Sequence, residues 1–140
     1  MIFDDDLVLC ECELDALKSF VSDLETRHRV EVIQEPSICL TMVRAEDSLE
    51  HQEFYLGEAL TTECEVSVDG TAGVGLCLGE EPLRGYCIAV IDGVNRLNGS
   101  TIPEISRFID EHRAILESKE AKEQNLIMKT RVDFKLMEQD

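Results

Sequence analysis

Six cysteines, three histidines and thirty acidic residues are the groups in this 140-residue chain that could carry chemistry. The thiols stand at positions 10, 12, 39, 64, 77 and 87, with no CxxC pair and no histidine at ligand spacing. Cys10-x-Cys12 is the one close pair, and a two-residue step sends strand side chains to opposite faces, which suits chelation poorly. Cys39, Cys64, Cys77 and Cys87 lie in apolar segments, where a free thiol packs as a small hydrophobe. Structural thiols are therefore expected, with no metal and no cofactor. His28 ends a helical pattern, His51 sits between Glu50 and Glu53 in a polar loop, and His112 falls on an apolar helix stripe. His28 has no acid or nucleophile nearby in sequence, His51 is read as part of a solvated Glu-rich loop rather than as a metal ligand, and His112 is expected as a packed or rim histidine. Asp92 is a lone acid in an apolar stretch. Gly70-Thr71-Ala72-Gly73-Val74-Gly75 imitates a phosphate-cradling loop, but such a loop should open a helix, and here a strand follows. Walker A, GxSxG and HExxH patterns are absent from the sequence. No catalytic, cofactor-binding or metal residue is assigned.

The elements that must position these groups centre on residues 54–79. Leu60, Thr62, Cys64, Val66 and Val68 alternate with Thr61, Glu63, Glu65 and Ser67, a period of two that marks a strand with one wet face. Asp69-Gly70 is a tight-turn signal. A second run follows, with Ala72, Val74, Leu76 and Leu78 on one face. Upstream, residues 1–10 read as a loose lead. Residues 13–29 read as an amphipathic helix on Leu14, Leu17, Val21 and Leu24, with Phe20 widening the stripe. Residues 30–34 and 38–44 read as one bent strand or two, broken at Pro36. Residues 45–53 read as a polar loop.

Downstream, Pro82 in a first turn opens a helix whose expected buried face is Leu83, Cys87, Val90, Ile91, Val94 and Leu97. Gly85 and Gly93 weaken that helix unless close packing requires them. Asn98-Gly99-Ser100 ends it. Thr101 to Glu104 spells a capping box for a further helix on Ile105, Phe108, Ile109, His112, Ile115 and Leu116. That pattern fades over residues 117–124. Residues 126–137 alternate again and read as a final strand. The order predicts an α+β fold, with a mainly antiparallel sheet and a central hairpin packed against about three helices.

A chain of this length, 44% hydrophobic, is expected to form one domain over residues 1–140. Its formal net charge of −17 opposes long-range attraction to nucleic acid and to anionic lipid. Arg107, Arg113, Lys119 and Lys122 are interleaved with acids, so no basic cluster forms. The acidity serves solubility, and its sharper reading is a surface complementary to a basic partner. No apolar run reaches the roughly 20 residues of a membrane span. The acidic start, Asp4-Asp5-Asp6, does not resemble a secretory leader, so a cytoplasmic location is expected.

Taken together, Phe54, Leu56-Gly57-Glu58, Asp69-Gly70, Gly75, Gly79, Asp92 and Arg131-Val132-Asp133-Phe134 resemble, in order and spacing, the PhnG family. That family is a small subunit of the bacterial carbon–phosphorus lyase system. The resemblance runs from the first helix to the C-terminus. It implies assembly with a nucleosidase-like subunit, another small subunit and an iron–sulfur radical-SAM subunit in a two-fold symmetric core complex. The shared early task joins an alkylphosphonate to the ribose C1 of ATP and releases adenine. The product is an α-D-ribose 1-alkylphosphonate 5-triphosphate.

The resemblance supplies no catalytic residue for the small subunit. It points to Phe54, Gly57, Glu58, Gly79, Arg131, Asp133 and Phe134 as partner- or site-shaping positions. The chain departs from the family where Arg is often found, carrying Glu63 after the hairpin Thr and Glu80 after Gly79. Both departures weigh against direct contact with a triphosphate. The first expectation is thus a non-catalytic or accessory subunit. The alternatives are a diverged homo-oligomeric interaction module with no phosphonate role, and an independent enzyme using Glu58, Asp133 or a His as acid or base.

Overall fold

The computed structural model describes residues 5–46 and 53–138. Four helices and three strands follow the order α1 (Asp5–Glu11), α2 (Leu14–Arg27), β1 (Val30–Glu46), β2 (Glu53–Val68), β3 (Thr71–Leu78), α3 (Pro82–Asn98) and α4 (Pro103–Glu138). The strands form one antiparallel sheet in the order β1-β2-β3, so the fold is α+β, as the strand and helix patterns require.

The core lies between the sheet and the helices. From β2 come Cys64, Val66 and Val68, from α3 Cys87, Ala89, Val90, Ile91 and Val94, from α2 Leu17, Val21 and Leu24, and from α4 Ile105, Phe108 and Ile109. Phe20 stacks on Phe108 at 4.4 Å, and Phe108 meets His112 at 4.3 Å, so His112 is a ring partner at the edge of the core. Leu83, Leu97 and Ile115, expected inside, are exposed.

The two sides of β3 explain how α3 comes so close. Gly73, Gly75 and Cys77 face α3, and Ala72, Val74, Leu76 and Leu78 face away from it. A Cβ on Gly75 would lie 2.6 Å from Ala89 N and would overlap the Gly85 carbonyl oxygen. A Cβ on Gly73 would lie 2.6 Å from Gly93 Cα. Gly85 and Gly93 are thus the helix half of a close strand–helix contact, which is why α3 carries them despite their helix cost.

Several expectations give way. Of the expected loose lead over residues 1–10, residues 1–4 lie outside the described residues, and residues 5–10 are helical, in an α1 that begins at Asp5 and buries Val8 and Leu9. Residues 30–34 and 38–44 form one strand, which absorbs Pro36 at register shifts between Val32 and Ser37. Of the expected loop, Ala45, Glu46 and Glu53 are strand, and His51 lies outside the described residues. The expected final strand at 126–137 is helix, the distal part of α4. No Gly or Pro interrupts the sequence from Glu104 to Glu138, and Leu, Met, Lys, Arg and Glu are strong helix formers, so nothing stops the helix. Of the expected capping box, Glu104 instead binds Arg27 Nη2 at 2.7 and 2.8 Å.

Candidate functional site

β3 is half the length of β2, and that difference creates the candidate site. Pairing of β2 with β3 ends at Thr61↔Leu78. Beyond it, β2 pairs only with β1, through Leu40↔Leu60, Thr41↔Ala59, Met42↔Glu58, Val43↔Gly57, Arg44↔Tyr55, Ala45↔Phe54 and Glu46↔Glu53. These residues make a two-stranded ribbon that runs roughly 20 Å past the third strand. α3 starts level with Thr62, whose Oγ1 donates to Gly79 O at 2.6 Å and accepts Glu81 N–H at 3.0 Å. The helix layer therefore begins where the ribbon ends.

Antiparallel partners share a face, so Ile38, Leu40, Met42 and Leu60 continue the helix-side face of Thr62, yet all four are exposed among the described residues. Leu40 is 66% exposed and Leu60 52%, and Ile38 and Met42 are also exposed. With Val32 they form an apolar surface on the side of the sheet that is core elsewhere. A two-stranded ribbon is marginal by itself in water, and contiguous exposed apolar surface marks an interaction site.

Four of the seven positions expected to shape partner contacts lie on this ribbon or at its root. Phe54, Gly57 and Glu58 are ribbon positions. Gly57 has φ +151°, beside the register shift at Val43/Arg44, so it carries a bulge that bends the ribbon. Gly79 has φ +82° and closes the end of β3 by donating its N–H to Leu60 O at 2.8 Å. Arg131, Asp133 and Phe134 are on α4 instead of a strand. Leu40, Met42 and Leu60 are the site residues that sequence reasoning missed as such. Their signal is the period-two run Ile38, Leu40, Met42, which persists on β1 past the last residue that β3 can cover.

The other chemically capable groups are held in structural roles. Asp92 Oδ2 accepts Val74 N–H at 2.9 Å and pairs with Arg96 Nε at 2.9 Å. Asp69 binds Arg29 N–H at 2.8 Å and His28 Nδ1 at 2.7 Å, fixing the β2–β3 turn to the end of α2. The His28 contact first, and then the Arg29 N–H, hold the Asp69 carboxyl below its usual range. Cys12, Cys64, Cys77 and Cys87 are buried. Burial, reinforced by Cys77, pushes the Cys10 thiol up to about 11, and burial does the same to Cys87. Such thiols are poor nucleophiles near neutrality. Arg84 lies among them, buried, donating to Leu9 O at 2.9 Å and to Glu81 Oε1 at 3.1 Å. Among the described residues no three His, Cys, Asp or Glu side chains are grouped to hold a metal ion.

An open cavity of about 530 Å³ lies between α1, the edge of β3 and the end of α3. Part of its polar lining is engaged internally: Asp92 with Arg96, Asn95 Oδ1 with Ile102 N–H, and Asp5 with Arg113. No helix among the described residues is long and apolar enough to cross a membrane.

No curated protein matches the chain. The family described as phosphonate metabolism protein PhnG matches residues 7–139, from within α1 through every strand to the end of α4. The match takes in the ribbon, the glycine contact and the long last helix together, and the chain accordingly belongs to the PhnG family of phosphonate metabolism proteins.

Proposed function

We propose that this protein is a non-catalytic accessory subunit of a carbon–phosphorus lyase core complex. In this role it supports synthesis of α-D-ribose 1-alkylphosphonate 5-triphosphate from ATP and an alkylphosphonate. The partners are the nucleosidase-like subunit, a second small subunit and the iron–sulfur radical-SAM subunit. The observation that carries the proposal is the apolar ribbon. Its uncovered surface of Ile38, Leu40, Met42 and Leu60 is what a subunit presents to a permanent partner, and the family match supplies the context of that partner.

Electrostatics supports a reading in which the chemistry belongs to other chains. In the reaction a phosphonate oxygen bonds to ribose C1, the C1–N9 bond breaks, and adenine leaves with a proton. Both substrates are anions, and a chain of net charge −17 adds repulsion unless a partner supplies the cations. The ribbon itself contributes Glu58, and Glu63 and Glu80 replace cations common in the family. The ribbon therefore serves to hold and shape a neighbour.

The test is reconstitution with ATP and methylphosphonate, reading adenine release. The isolated chain should release none, the full complex should turn over, and the complex lacking this chain should lose turnover. Turnover by the isolated chain, or full turnover without it, overturns the proposal.

A further inference from the structure

The sheet has a second apolar surface, on the face opposite the helices. Antiparallel sheets that meet water on one side normally place polar residues there. β3 does the reverse: glycines face the core, and Val74, Leu76 and Leu78 face out, with Leu76 50% and Leu78 65% exposed. The register sets Glu65 opposite Val74 and Glu63 opposite Leu76. A row of carboxylates thus runs beside the apolar row, one strand spacing of about 4.8 Å away. On its other side β1 contributes only Gln34 and Ser37. Some acids elsewhere are paired, as Glu31 is with Arg29, Glu104 with Arg27 and Asp92 with Arg96. Glu63 and Glu65 have no cationic partner among the described residues, and the one contact to Glu63 is the Cys39 thiol at 3.7 Å.

We propose that this outer face docks a positively charged amphipathic helix from another protein. The helix lays its apolar stripe on Val74, Leu76 and Leu78, and its Lys or Arg flank reaches Glu63 and Glu65. Two observations select this occupant. The free edge of β3 is already used, since Asp92 takes the Val74 N–H and the Cys10 thiol lies 3.7 Å from Leu76 O, so an added strand has no template. A second copy of the chain is disfavoured, because a two-fold pairing on this face brings two carboxylate rows together on partners of charge −17 each. A helix completes the missing layer and neutralises the row. The ribbon presents its apolar residues on the opposite face, so this surface stands whether or not the phosphonate reading holds.

The test is site-specific photo-crosslinking in the native host, with benzoylphenylalanine at position 76 of the full chain and mass-spectrometric mapping of the linked segment. The expected product joins position 76 to a segment of another protein with helical apolar spacing and net positive charge. The double variant Glu63→Lys with Glu65→Lys should lower its yield at least about fivefold, because like charges now meet. Glu63→Gln with Glu65→Gln should lower it by less. The same probe at position 40 reports the ribbon and should keep its yield in both variants. A linked segment that is acidic or uncharged, a link to a second copy, no link above background, or a yield unchanged by charge reversal overturns the proposal.

Discussion

Gly73 and Gly75 decide which side of β3 meets the core. With any larger residue at either position, α3 could not lie against the strand, and the Gly85 and Gly93 backbone would be held away from it. Gly75→Ala is therefore expected to destabilise the protein by about 3 kcal/mol or more, because the added methyl meets backbone atoms that cannot turn aside. Gly70→Ala meets open space, and its cost is the strain of φ +89° alone. Urea denaturation of the two variants checks this. A Gly75→Ala protein as stable as the parent would mean that α3 can move away at no cost. This contact was half legible in the sequence. The helix glycines asked for close packing, but hydrophobicity pointed to Ala72, Val74, Leu76 and Leu78 as the defining face of the strand. That signal misleads because, at a tight strand–helix approach, the absence of a side chain is what fits.

Arg84 gives α1 its place in the fold. A seven-residue helix with Asp5 and Asp6 in its first turn and no basic residue in its last has little stability of its own. It is held by buried Val8 and Leu9 and by the guanidinium that caps Leu9 O from α3. Arg84→Leu should leave that carbonyl and Glu81 without their donor, at a cost of about 1–3 kcal/mol. Amide hydrogen exchange should show the loss concentrated in α1, with α3 protected as before. A uniform rise in exchange would contradict an anchoring role. α1 was invisible to sequence reading for the same reason, since its signal is a tertiary contact 75 residues away. α2 was legible because Leu17, Val21 and Leu24 repeat at helical spacing and all three are buried. The distal part of α4 was misread as strand. Leu126, Met128, Thr130, Val132, Phe134 and Leu136 do alternate, yet Lys129, Arg131 and Lys135 between them are good helix formers and no breaker separates them from Pro103–Leu116.

The whole molecule combines a well-filled core with apolar surfaces on both faces of its sheet. The core side ends at Thr62, and past it the strands go on without a helix layer. That arrangement costs stability in an isolated chain and is useful when a partner completes it. The high negative charge opposes self-association through these surfaces. The positions of the ribbon candidates Phe54, Gly57, Glu58 and Gly79 could be inferred from family resemblance. Their purpose as parts of one projecting ribbon depends on where β3 stops, which no local pattern states.

The proposed role as a subunit held through the ribbon can be tested directly. The direct measurement is a pull-down of the tagged chain from its host grown on a phosphonate as sole phosphorus source, read by native mass spectrometry. The parent is compared with the double variant Leu40→Asp and Leu60→Asp. Both positions are exposed, so the variant should melt within a few degrees of the parent. The account predicts stoichiometric recovery of the nucleosidase-like and iron–sulfur subunits with the parent, and recovery of the folded variant alone. Recovery of the parent without those subunits, or equal recovery of them with the variant, would contradict it.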